Sequence, residues 1–106
     1  MIIATTEQVA GYDITDHLGI VVGNTIRAKN IGRDLKAVLR TVVGGEIKEY
    51  TSLMAEAREQ ALMRLKEKAE VLGADAVIGL RFQTSMVMAG ASELLVYGNA
   101  VKLQKK

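Results

Sequence analysis

The chain contains no cysteine, no proline and a single histidine among 106 residues. The absence of cysteine removes disulfides, thiolate nucleophiles and cysteine-type zinc sites together, and it fits a cytoplasmic protein. With no proline, no internal repeat and no low-complexity linker, nothing marks a domain boundary. The length therefore reads as one domain spanning residues 1–106 with one modest core. Aromatics are also scarce, at three Tyr and one Phe, so the core must be built from Val, Ile, Leu, Met and Ala. No apolar run approaches the length of a membrane span. The start, Met1-Ile2-Ile3-Ala4-Thr5-Thr6-Glu7, has neither a basic region nor an extended apolar one, so no signal peptide is expected. The net charge is only +2, and Lys102, Lys105 and Lys106 read as a solvated tail. No basic block interleaved with aromatics suggests a nucleic-acid surface.

What is present is about half apolar. Residues 2–5 read as a short strand, and Glu7–Gly11 as a turn. From Tyr12 to about Lys29 the β-branched Ile14, Ile20, Val21, Val22, Thr25 and Ile26 favour extension, with Gly19 and Gly23 permitting a bulge or a close backbone approach. Asn30 can cap a first helix over about Ile31 to Val43, where Ile31, Leu35, Val38, Leu39 and Val42 follow helical spacing. Gly44-Gly45 would end it. A second helix runs from about Tyr50 to Leu72, capped by Thr51 or Ser52. It carries the stripe Leu53, Ala57, Ala61, Leu65, Ala69 and Leu72, is widened by Met54 and Leu62, and is stopped by Gly73. Two strands follow near Asp75–Thr84 and Glu93–Leu103, joined by a loop over residues 85–92. The expected fold is α+β, two layers, with helices packed on one face of a mainly antiparallel sheet.

The last two strands do not alternate as a half-solvated sheet should. Ile78, Leu80 and Phe82 would share one face, with Val77 and Gly79 on the other beside Arg81 and Gln83. Leu94, Val96 and Ala100 oppose Leu95, Tyr97, Val101 and Leu103, and the loop adds Met86, Val87, Met88 and Ala89. Apolar side chains on both faces imply a covering partner, for which a second copy of the chain is the expected candidate. The plainer alternative is that the long first strand curls over the second face.

Several segments resemble the YbjQ-like family. They are Gly19-Ile-Val-Val-Gly23, Arg33-Asp34, Gly44-Gly45-Glu46, Tyr50-Thr51, Glu56-Ala57-Arg58, Leu72-Gly73-Ala74-Asp75-Ala76-Val77 and Tyr97-Gly98-Asn99-Ala100-Val101. This is a family of small bacterial and archaeal proteins labelled heavy-metal-binding, and the likeness runs from Gly11 to Val101. Asn99 departs from the Thr more usual there. The resemblance implies a dodecin-like β-α-β-β subunit, here with an additional helix, assembling into a ring that is most often a pentamer. It implies no particular reaction.

The metal label meets a poor donor set. Soft and borderline metals want Cys or His ligands, and this chain offers only His17. In an extended strand Asp13 and His17 share a face but stand roughly 13 Å apart, too far to chelate one ion. An ordinary surface histidine is the simpler reading, so no metal ligand and no cofactor is assigned. Catalysis has no candidate either, since there is no thiol, no second histidine and no nucleophile elbow. Gly19-Ile-Val-Val-Gly23-Asn24-Thr25 lacks the Gly-Lys-Ser/Thr ending of a phosphate loop. An enzyme is not expected.

The polar set to watch is Arg33, Asp34, Glu46, Tyr50 and Arg58, gathered near helix starts and the helix–helix junction. It reads either as an ion-pair and hydrogen-bond network fixing that junction or a subunit contact, or as an anion or small-ligand pocket with Arg58 as planar donor. Two functions remain open. One is a ring-forming homo-oligomeric module whose role lies in its assembly. The other is a binder of a small ligand or metal ion with sites between subunits.

Overall fold

The computed structural model describes residues 1–28, 42–43 and 46–106. In chain order the elements are β1 (Ile2–Ile3), β2 (Tyr12–Ala28), β3 (Val42–Val43), β4 (Glu46–Ile47), α1 (Lys48–Val71), β5 (Ala76–Met88) and β6 (Ala91–Lys105). The architecture is α+β. A four-stranded mixed sheet has the order β1-β5-β6-β2, β3 and β4 form a separate pair, and α1 is the one helix among the described residues. β6 is antiparallel to both its neighbours, while β1 adds to β5 in parallel.

β2 is long because little in it stops extension: it is rich in β-branched residues and free of proline. At roughly 3.3 Å per residue its 17 residues account for the 56 Å long axis of the molecule. The two roles open to its glycines are divided between them. Gly19 falls at a register shift against β6, and Gly23 lies directly under α1.

α1 follows the expected stripe. Ala57, Ala61, Leu65 and Ala69, spaced four apart, are buried, whereas Glu56, Glu59, Glu67 and Glu70 are exposed. The helix begins earlier than expected, at Lys48 directly after β4, so Thr51 and Ser52 lie inside it and cannot cap it. Its end is a Schellman turn. The Gly73 N–H donates to the Glu70 carbonyl (2.9 Å), the Ala74 N–H to the Ala69 carbonyl (3.0 Å), and Gly73 takes a φ of +76°. Leu72 is left half exposed beyond the stripe.

Three expectations are corrected. Val42 and Val43 are not the end of a first helix but the strand β3, pairing antiparallel with Ile47 and Glu46. Two adjacent β-branched residues favour extension, and helical spacing alone does not exclude it. The remainder of that helix, residues 31–41, and the Gly44-Gly45 stop lie outside the described residues. Secondly, the loop over residues 85–92 shrinks to a turn at Ala89-Gly90, because β5 and β6 stay paired out to Met88 and Ala91. Thirdly, Ile78 and Leu80 do not share a face. A register shift between Ile78 and Arg81 contains Gly79 at φ +61°, and the extra residue rotates the chain.

That bulge separates two cores. Val21, Ala61, Leu65, Ala69, Val77, Leu80, Leu94, Val96 and Ala100 fill the space between sheet and helix. On the opposite face Ala76, Ile78 and Val101 are buried under Ile2, Val9, Ile14 and Leu103. Part of the two-faced apolar character of β5 and β6 is thus covered within the chain, by Ile2 and Val9 of its first residues together with Ile14 at the start of β2, which stays paired with β6 rather than curling over it.

Candidate functional site

An α-helix is about 10 Å across and strands are spaced about 4.8 Å apart, so one helix covers about two strands. α1 lies on β2 and β6 and barely touches β5. It is seated very closely. The Thr25 hydroxyl, buried in the sheet, donates to the Ala57 carbonyl at 3.2 Å. Arg27 Nη2 donates to Gln60 Oε1, while the Arg27 Nε is buried with no partner among the described residues.

Beyond the helix no described element covers this face of the sheet. Phe82, Met86, Val87 and Met88 on β5 are 46%, 78%, 50% and 67% exposed. On the face away from the helix, Ile20 and Ile26 of β2 are 74% and 60% exposed, beside half-buried Val22 and Leu95 and the exposed Tyr97. The polar groups there are tied locally. Asn24 Nδ2 donates to Glu93 Oε2 (3.4 Å), and Arg81 Nη1 donates to the carbonyls of Thr5 (2.9 Å) and Leu80 (2.8 Å).

Among the described residues no strand pairs with the second edge of β2, nor with β5 beyond the short parallel contact with the first residues. Arg64 reaches over the β2 edge from α1, its Nη1 donating to the Asn24 carbonyl at 2.7 Å. Next to it a groove of about 360 Å³ is lined by Ile20, Val21, Val22, Lys68, Val71 and Leu72. A larger hollow of about 790 Å³ at the other end of the sheet is lined by Thr6–Ala10, Tyr12–Ile14 and Lys106. Its one ion pair, Lys106 with Asp13 at 3.9 Å, is solvent-exposed on both sides and contributes at most about 1 kcal/mol.

Of the expected polar set, Arg33 and Asp34 lie outside the described residues. Glu46 sits on β4 and Tyr50 in the first turn of α1, with side chains outside the described part, and Arg58 is exposed on α1. Tyr50 and Arg58 are eight helical positions apart, about 12 Å of backbone rise. Composition and motif reading did not single out Arg64, Asn24 or Glu93, because their roles depend on which strand edge the helix overlies. No helix among the described residues is long and apolar enough to cross a membrane.

Fold and site together define a small α+β sheet protein whose described residues give the sheet one covering helix and leave a broad apolar end exposed. The chain belongs to the YbjQ-like family, whose model, described as "Putative heavy-metal-binding", matches residues 1–104. It is 56% identical over 106 residues to a UPF0145 protein of Methanosarcina acetivorans, covering all of both chains. Against a UPF0145 protein of Thermotoga maritima it is 55% identical, covering 99% of each. In structure it is similar to a crystal structure from Pediococcus pentosaceus, a protein with unknown function of the DUF74 family. That match has a TM-score of 0.53 and 25% identity, over 100% of this chain and 98% of the other.

The family description names heavy metals, and the described residues of this chain do not fit a centre for one. There is no cysteine, His17 is exposed on β2, and among the described residues no three His, Asp or Glu side chains gather.

Proposed function

We propose that this chain is a subunit of a closed homo-oligomeric ring and that its role resides in the assembly. The supporting observation is the uncovered apolar end of the sheet, where Ile20, Ile26, Met86 and Met88 are each at least 60% exposed. A monomer would keep that surface in water, although burying each such side chain is worth about 1.5–3 kcal/mol. The long elements run β2, α1, β5, β6 with β6 in the middle of the three strands, an order that suits the dodecin-like subunit the family resemblance implies. On the same resemblance the ring has five copies, each a single domain. The ring is cytoplasmic, and the junction carrying Arg33, Asp34, Glu46, Tyr50 and Arg58 serves as a fixing network rather than a catalytic centre.

Native mass spectrometry of protein purified without a metal-affinity tag tests this directly. A closed oligomer of five subunit masses is expected. A clean monomer at micromolar concentration overturns the proposal, and a ring retaining extra mass would instead make it a ligand-binding assembly.

A further inference from the structure

Among the described residues the sheet leaves two unlike strand edges unpaired, and neither strand carries the usual protection in its own sequence. Free edges are ordinarily blunted by charges or proline, because their unpaired N–H and C=O groups recruit other strands. Ile20-Val-Val-Gly-Asn-Thr-Ile26 on β2 and Phe82-Gln-Thr-Ser-Met-Val-Met88 on β5 contain neither. β2 borders the apolar groove formed with Val71 and Leu72, and β5 carries the uncovered Phe82, Met86 and Met88.

We propose that the β5 edge of one copy adds to the β2 edge of the next, continuing the sheet, with Phe82 and Met86 packed along the outer flank of the neighbour's helix. This rests on the ring reading above and names the joint that builds it. Phe82 pairs across the sheet with Val96, which faces α1, so Phe82 and Met86 are on the helix side of a strand that α1 does not reach. Val71, 87% exposed, and Leu72, 45% exposed, lie at the end of α1 over the groove beside β2, outside the buried stripe of Ala57, Ala61, Leu65 and Ala69. Setting the neighbour's β5 beside β2 brings these two unpartnered apolar rows together, and each helix then spans its own β2 and the adjoining β5.

β2 and β5 are both antiparallel to β6 and so run in the same direction. Rotation about an axis along the strands therefore pairs them in parallel. Seven large apolar side chains border the joint: Val71, Leu72, Phe82 and Met86 on the helix side, Ile20 and Met88 on the other face, and Val87 at the bulge between Met86 and Met88. At on the order of 100 Å² each they supply roughly 700 Å² before any backbone is counted, against a minimum of about 1,200 Å² for a specific interface. Arg64 guards the Asn24 carbonyl in the isolated chain, and docking hands that oxygen to a strand N–H. Because the two surfaces differ, the joint is head-to-tail and closes only as a ring.

Two variants test it. M86D with M88D blocks the β5 edge and leaves the groove intact, and I20D with V71D does the reverse. All four positions are at least 67% exposed, so the fold is retained, which far-ultraviolet circular dichroism verifies. Replacing the same residues by Ser gives a milder second pair. By sedimentation each variant alone should self-associate at least about thirtyfold more weakly than the parent chain. An equimolar mixture should form a one-to-one dimer, since it contains one intact edge and one intact groove. Variants that keep the parental oligomer, or a mixture that forms no dimer, overturn the joint while leaving the ring reading standing. A monomeric parent chain overturns both.

Discussion

Replacing Gly23 by Ala probes the seating of the helix on the sheet. A Cβ at Gly23 would intrude on the Ala61 carbonyl oxygen and stand 2.7 Å from the Leu65 nitrogen and 3.1 Å from the Ala61 carbonyl carbon. All three are helix backbone, so no side-chain rotation relieves the clash, and α1 must retreat by about 1 Å. A gap of that size forfeits a quarter to a half of each dispersion contact it opens. The loss falls on Ala61, Leu65 and Ala69 against Val21 and Val96, and overpacking of this kind costs about 1–3 kcal/mol. The Thr25 hydroxyl bond to Ala57, at 3.2 Å, would stretch and surrender about 1 kcal/mol more. Lower entropy of the unfolded chain returns about 0.4–1 kcal/mol. The net destabilisation expected is about 2 kcal/mol. Urea unfolding of G23A and the parent chain at one fixed protein concentration measures it, since association would otherwise shift the midpoint. A loss under about 1 kcal/mol with an unchanged denaturant slope would refute the close helix–strand contact.

Leu65→Ala removes a fully buried side chain from the centre of the helix-side core and should cost about 2–5 kcal/mol in the same titration. Gly79→Ala forces a Cβ into φ +61° at the β5 bulge and should cost about 1–2 kcal/mol. Removing the buried hydroxyl in Thr25→Val should cost about 1 kcal/mol, read as a lower urea midpoint with the slope unchanged.

Elements that announce themselves by repetition were legible in the sequence. The fourfold spacing of Ala57, Ala61, Leu65 and Ala69 predicted a buried helix stripe, and the β-branched content of β2 placed its ends within a residue. The opposition of Leu94, Val96 and Ala100 to Val101 and Leu103 correctly signalled apolar packing on both faces of β6. Where reading by period failed, the cause was local. The bulge at Gly79 shifts the phase of β5 by one, which no count of alternating residues can register. Ser85-Met86-Val87-Met88 read as part of a loop despite its apolar side chains being out of place in one, and cross-strand pairing holds it extended. Val42 and Val43 suit either a helix or a strand, and pairing with Glu46 and Ile47 decided for the strand. The polar set at the junction was chosen from residue type and element ends, and Arg33 and Asp34 lie outside the described residues. The contacts that shape the open edge, such as Arg64 on the Asn24 carbonyl, depend on tertiary placement that spacing does not encode.

The position of β6 has a consequence for how the protein comes into being. β6 lies between β5 and β2, and its pairing with β2 joins Tyr12 to Lys105 and Ala28 to Ala91. It is also translated after every other strand. β2 therefore emerges from the ribosome with both edges bare and waits through some eighty further residues, several seconds at ordinary elongation rates, for its partner. Pairings of such large sequence separation place folding on the millisecond-to-second scale rather than the microsecond scale of local structure. During that interval a nascent β2 is open to the completed strands of another chain. Synthesis on polysomes, with many copies side by side, is thus the stage at which this sheet is most exposed to exchange of strands between molecules.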